Sequence, residues 1–202
     1  IDELDSDPGL SAGVLTGVGR AFCAGMDLKG FLAGDDVSGF FKFAVNGSVK
    51  PLIAAIDGFA LAGGLELALT CDLIVASKGV KMGIPEAKRG LFAAAGGLMR
   101  LPTRVGYSKA MEMALTGDPI LAEEAAQFGM VARLTEPGGA VEAALELAER
   151  IAENAPLSIT ASKQLIKAAL GITEPEFWEL QKEPHAKVFN SNDSKEGPLA
   201  FA

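Results

Sequence analysis

The chain has a single histidine, His185, among 202 residues. Ser-His chemistry needs an imidazole beside its nucleophile, and His185 stands in a helix-forming tail, where it reads as a solvated or helix-packing residue. The one stretch resembling a nucleophile elbow, Gly106-Tyr107-Ser108-Lys109-Ala110, lacks the closing glycine. Cysteine is almost as scarce. Cys23 and Cys71 have no metal-like spacing, which with one histidine argues against zinc. Their apolar neighbours suggest buried, reduced thiols in a cytoplasmic protein. Basic residues are outnumbered, 18 against 26 acidic, for a net charge of −8. Such a surface repels phosphate backbones, so nucleic acid is not an expected partner; an anionic group held by a few local cations remains compatible. The longest apolar runs, such as Leu52 to Ile56 and others of similar length including Leu73 to Ala76, fall far short of the roughly 20 residues that span a membrane. No secretory apolar region, internal repeat, low-complexity tract or long charge run is present. The chain does not open on Met. Ile1 to Pro8 reads as the last turn of a helix halted by Pro8, with further residues expected before it.

Apolar residues, by contrast, make up 49%, enough for a large core in one domain or a domain with an appendage. The 24 glycines are clustered, as at backbone turns and places of close ligand approach. Ala12 to Thr16, Leu52 to Ile56, Leu73 to Ala76, Lys81 to Ile84 and Val131 to Leu134 read as strands, and Gly63 to Leu69 as a short helix ended by Asp72. Alternating elements of this kind predict an α/β core over residues 1–137. Residues 138–202 form a helical region: Ala140 to Asn154 carries an apolar stripe at Val141, Leu145, Ala148 and Ile151, and two further helices run over Ser158 to Leu170 and Pro175 to Phe189. Periodicity allows two roles for these helices, a partner surface or a cover for the core.

Three glycine-marked segments carry the chemistry. They are Arg20-Ala21-Phe22-Cys23-Ala24-Gly25-Met26-Asp27-Leu28, Ala60-Leu61-Ala62-Gly63-Gly64-Leu65-Glu66 and Gly83-Ile84-Pro85-Glu86. Glycines at a helix start leave amide N–H groups accessible, and with the helix dipole these can hold a carbonyl oxygen as it becomes an enolate. Glu66 falls in the first turn of that helix. A lone glutamate is more often a helix-start or loop carboxylate than a catalyst; two glutamates beside two such turns suggest an acid/base pair near an oxyanion hole. Gly17-Val18-Gly19 after a strand is not a dinucleotide fingerprint, because Phe22 replaces its third glycine.

These segments, followed by Lys88-Arg89-Gly90-Leu91-Phe92-Ala93-Ala94-Ala95-Gly96-Gly97, resemble the enoyl-CoA hydratase (crotonase) superfamily. The likeness is strong from Gly13 to about Val131 and continues in the tail at Ser191-Asn192-Asp193 and Glu196-Gly197. It implies an α/β fold, a spiral of β-β-α turns with a C-terminal helical region that builds trimers, commonly paired into hexamers. It also implies an acyl-CoA thioester substrate and no cofactor or metal beyond the coenzyme A that the substrate carries. Position by position, Met26 and Gly63 match the two oxyanion amides, Glu66 the glutamate that activates water, and Glu86 the one that protonates the α-carbon. Ala24, Gly25, Asp27, Leu28, Gly64, Pro85, Phe92 and Ala94 match substrate-binding positions. Retention of both glutamates favours hydration of a 2-enoyl-CoA over Δ3-Δ2 isomerisation, where Glu86 would act alone, or binding with little turnover. Ala94 departs from the pattern, since hydratases commonly have a glycine there, and alanine reaches a positive φ less easily. The family's N-terminal strands and basic C-terminal end are expected outside the sequence. Phe31, Phe40, Phe41 and Phe43, between Gly30 and Val49, either shape the acyl pocket or simply pack.

Overall fold

The computed structural model describes residues 1–201; the side chains of Leu28, Phe31 and Phe201 lie outside the described residues. Two four-stranded sheets are built in parallel by one spiralling chain. The first contains β1 (Gly13–Thr16), β3 (Leu52–Ile56), β5 (Leu73–Ser77) and β8 (Arg133–Thr135), in that order and all parallel. The second contains β2 (Ala21–Cys23), β4 (Phe59–Leu61), β6 (Lys81–Gly83) and β7 (Ile120–Leu121), with only β6–β7 antiparallel. Each circuit therefore lays one strand in each sheet before a helix returns the chain, which is the expected β-β-α spiral. The corner between β3 and β4 shows why it needs glycine. A Cβ on Gly58 would lie 2.3 Å from the Arg20 carbonyl oxygen of the preceding circuit.

Helices α1 (Asp2–Ser6), α2 (Leu28–Ala33) and α3 (Ser38–Asn46) precede β3; α4 (Gly63–Thr70) links β4 to β5. A 3₁₀ turn (Pro85–Arg89), α5 (Gly97–Val105) and α6 (Tyr107–Thr116) join β6 to β7, and α7 (Ala122–Gln127) precedes β8. Every residue of β3 is buried, as befits a parallel strand covered on both faces. On one side Leu65 and Leu69 of α4 meet Ile74, Met82, Leu101, Met113 and Met130. On the other, Ile53, Ala55 and Val75 meet Ala140, Ala144 and Val141 of α8 (Ala140–Ala152). The first tail helix thus covers the core.

Helices α9 (Pro156–Ala169), α10 (Glu174–Phe189) and α11 (Asp193–Phe201) complete the chain. Pro156 is the first residue of α9, where its missing N–H costs nothing, and a Thr173–Glu176 capping box starts α10. Lys163 ties α9 to the core: its Nζ lies 2.6 Å from Asp72, whose Oδ2 also accepts the Leu52 N–H at 2.8 Å. The three helices leave Ile166, Leu170, Trp178, Phe189 and Leu199 more than half exposed. Among the described residues no helix is long and apolar enough to cross a membrane.

Two sequence expectations need correction. The last strand starts at Arg133 rather than Val131, because the ladder opens where Arg133 meets Val75; Val131 is buried in the core instead. Of the two cysteines only Cys71 is buried, its thiol pushed up to about 12 chiefly by that burial. Cys23 is half-buried at the end of β2, where its Sγ accepts the Gly25 N–H at 3.4 Å.

Candidate active site

The chain enters α4 through Ala62, the only non-glycine residue with a positive φ (53°) among those described. A residue held there costs about 1–3 kcal/mol, and such strain tends to occur where backbone must be aimed. The Ala62 carbonyl accepts the Leu65 and Glu66 amides at 2.9 and 3.2 Å. The amides of Gly63 and Gly64 have no hydrogen-bond partner among the described residues. Gly64 lets α4 approach β2 closely, since a Cβ there would lie 2.1 Å from the Cys23 carbonyl oxygen. That contact sets the turn after β2 against the start of α4. A Cβ on Gly25 (φ 94°) would be 3.2 Å from the Gly63 nitrogen. Met26, next in the turn, also has an amide without a partner among the described residues. The unpartnered amides of Gly63 and Gly64 therefore stand at a helix N-terminus, whose dipole favours negative charge, with that of Met26 in the adjoining turn.

Glu66, one turn into α4, is 3% exposed. Its Oε1 accepts the Ala95 N–H at 2.7 Å and the Gly97 N–H at 2.8 Å. Burial pushes the carboxyl above the usual glutamate range, opposed by those two donors and by the positive charge of Arg100. Glu86, second residue of the 3₁₀ turn, is half-buried, and its Oε2 is a fully buried oxygen without a partner among the described residues. Burial raises its pKa as well, and the Glu66 charge raises it further. Two neighbouring carboxyls, the second sensing the charge of the first and holding a buried oxygen left open, are suited to acid/base work.

The sequence-predicted positions do not all share one place. Gly63, Gly64 and Glu66 stand at the start of α4 with Gly25 against them and Met26 next along that turn, and Glu86 is close enough to feel the Glu66 charge. Asp27 lies at the start of α2, where its Oδ1 accepts the Lys29 N–H at 2.9 Å. Pro85 begins the 3₁₀ turn; Ala24 is exposed, and Phe92 is 70% exposed. The Leu28 side chain lies outside the described residues, as does that of Phe31. The Ala94 departure has a simple resolution: the backbone there does not take a positive φ, and its amide has no partner among the described residues. The left-handed position of this loop is Gly96, at φ 92°.

The aromatic segment divides between the two readings. Phe43 packs against the core, whereas the Phe40 ring edge would touch a Cβ placed on Gly63 at 3.1 Å, beside the free amide. The two amides that hold Glu66, from Ala95 and Gly97, have no counterpart among the sequence-predicted positions. The adjacent Gly96-Gly97 pair is their one visible signal.

The chain resembles known proteins along its whole length. The family model described as enoyl-CoA hydratase/isomerase matches residues 1–202. In three dimensions the chain is similar to enoyl-CoA hydratase EchA1 from Mycobacterium marinum, with a TM-score of 0.95 and 52% identity, covering 99% of this chain and 81% of that one. In sequence it is 38% identical to enoyl-CoA hydratase EchA19 of Mycobacterium tuberculosis, over 100% of this chain and 80% of the relative. It is 40% identical to the mitochondrial enoyl-CoA hydratase of Pongo abelii, over 100% of this chain and 74% of the relative.

Proposed function

The chain belongs to the enoyl-CoA hydratase/isomerase family, and we propose that it adds water across the double bond of a 2-enoyl-CoA to give a 3-hydroxyacyl-CoA. The observation that carries this reading is the pair of neighbouring glutamates, Glu86 with an open buried oxygen and sensing the Glu66 charge, beside the unpartnered Met26 and Gly63 amides.

In the proposed reaction the thioester carbonyl oxygen lies between the Met26 and Gly63 amides. Fixed donors of this kind strengthen their bonds as the oxygen takes on enolate charge, and losing one typically costs about 3–4 kcal/mol. Because Ala95 and Gly97 occupy Glu66 Oε1, Oε2 is the oxygen left for water. Ionised Glu66 takes a proton from that water as its oxygen bonds to the β-carbon, and the π electrons shift toward the carbonyl as enolate. Protonated Glu86 then gives its proton to the α-carbon. Its raised pKa suits a carboxyl that is protonated when water is bound. Return of the proton from Glu66 to Glu86 through solvent closes the cycle with the net addition of one water. The proposed steps use no metal or redox group, and coenzyme A enters only with the substrate.

The exposed apolar side chains of α9, α10 and α11 support the expected homotrimer, alone or paired into a hexamer. Presenting the purified protein with matched 2-enoyl- and 3-enoyl-CoA esters tests the activity. The proposal expects the 2-enoyl ester to gain the mass of one water. Conversion of the 3-enoyl ester to its isomer without hydration would select isomerisation, and binding of both without product would select a non-catalytic role.

A further inference from the structure

Arg100 lies on α5, one turn beyond the Gly96-Gly97 pair, and its half-buried guanidinium joins three elements. Nη1 donates to the Ala95 carbonyl at 3.1 Å and to Thr70 Oγ1 at 3.3 Å, while Nη2 donates to the Ala44 carbonyl on α3 at 2.5 Å. Two of these partners lead directly to Glu66. Ala95 gives its carbonyl to Arg100 and its N–H to Glu66 Oε1; the two groups lie in successive peptide units joined at the Ala95 Cα, so the guanidinium restrains the residue that carries that donor. Thr70 in turn donates its hydroxyl to the Glu66 backbone carbonyl at 2.8 Å, one turn along α4. The third partner reaches α3, whose Phe40 lies against Gly63. The loop is shaped around this side chain: a Cβ on Gly96 would lie 2.3 Å from Arg100 Nη1.

From this geometry we propose that Arg100 is a positioning residue for Glu66, holding its carboxylate in register through Ala95 and Thr70. The inference rests on the proposed role of Glu66. A surface arginine with one bond could be lost at small cost; a guanidinium satisfying two main-chain carbonyls and a hydroxyl beneath a buried carboxylate could not. Glu66 is faced by Arg100 from α5 and by Glu86 from the 3₁₀ turn; besides Glu66, the charges that interact with Arg100 are Arg104 on α5 and Lys167 on α9. Lys163 and Asp72 form their own pair nearby. Within this set Arg100 is the cation that lowers the Glu66 pKa, against the upward push of burial. Removing its charge lets that pKa climb, so a larger share of Glu66 is protonated at any pH below it.

The test compares Arg100→Gln and Arg100→Lys with the parent protein, following hydration rate against pH and the titration of Glu66 by carbon-13 NMR of glutamate-labelled protein. Arg100→Gln is expected to lower kcat about a hundredfold, the scale of a misplaced catalytic group, with KM changed far less. Its acid limb and the Glu66 titration move together to higher pH. Arg100→Lys keeps the charge and loses the fork, so its limb stays near the parent's while kcat falls by about tenfold, or roughly 1.4 kcal/mol. A folded Arg100→Gln protein whose limb and Glu66 titration coincide with the parent's overturns the proposal. If Arg100→Gln does not fold, Arg100→Lys with parental kcat overturns it equally. Full activity in Glu66→Gln, alongside a shifted Glu66 titration in Arg100→Gln, would remove the water-activating role of Glu66 and leave the brace standing.

Discussion

Replacing Gly97 with alanine separates the site from the scaffold. Gly97 is the first residue of α5 and has no positive φ, so its backbone accepts alanine without strain. In a helix alanine is favoured over glycine by up to about 1 kcal/mol. The new methyl would nevertheless lie 2.9 Å from Glu66 Oε1, 3.0 Å from its Cγ and 3.1 Å from the Ala93 Cβ. Overpacking of this kind costs about 1–3 kcal/mol, so the two effects nearly offset and stability is expected to fall by no more than about 2 kcal/mol. Catalysis has no such offset. The carboxylate must move, weakening the 2.8 Å bond from the Gly97 amide, and a displacement approaching 1 Å costs about a hundredfold in rate. The assay follows loss of the enoyl-thioester ultraviolet absorbance beside urea unfolding of the same protein. A Gly97→Ala protein with activity within twofold of the parent would refute the reasoning, because the methyl and the proposed position of Glu66 cannot both be accommodated.

Three further outcomes are expected. Asp72→Ala leaves Lys163 as a largely buried cation without its carboxylate and frees the Leu52 amide, which should cost about 3 kcal/mol in denaturant unfolding; a loss below about 1 kcal/mol would contradict the pairing. Glu66 and Glu86 both have folded pKa values raised by burial, so each binds protons more readily folded than unfolded. Below the ordinary glutamate pKa of about 4.3 they are neutral in both states and carry no penalty, and the penalty grows as pH rises through that value to the raised ones. Relative to the double variant Glu66→Gln/Glu86→Gln, the parent should therefore lose stability as pH rises above about 4.3; a flat difference would contradict the burial account. Light scattering should find a trimer or a multiple of it, and a stable monomer would contradict the role given to the exposed faces of α9 to α11.

The sequence was most legible where one physical cause dominated. Leu52 to Ile56 and the start of α4 at Gly63 stand where apolar runs and paired glycines placed them. Most of the second sheet was illegible, because β2, β4 and β7 are two or three residues long and carry no measurable period. Those strands matter to the site even so: β2 brings its following turn against α4. Glu66 and Glu86 stood out because each follows a glycine-marked turn. What holds Glu66 did not, because backbone amides of Ala95 and Gly97 leave no side-chain signature. Arg100 remained hidden for a related reason. It acts through carbonyls and a hydroxyl distant in sequence, contacts that only the folded chain assembles.

The central claim is that Glu66 and Glu86 together add water to a thioester-activated double bond. Its most direct test is the steady-state hydration rate of Glu66→Gln and Glu86→Gln, each confirmed as folded, with a 2-enoyl-CoA substrate. Acid/base assistance of this kind is typically worth about 10² to 10⁴ in rate, and each variant is expected to lose at least that lower figure. Hydration slowed less than about tenfold, or roughly 1.4 kcal/mol, in both variants would contradict the two-glutamate account.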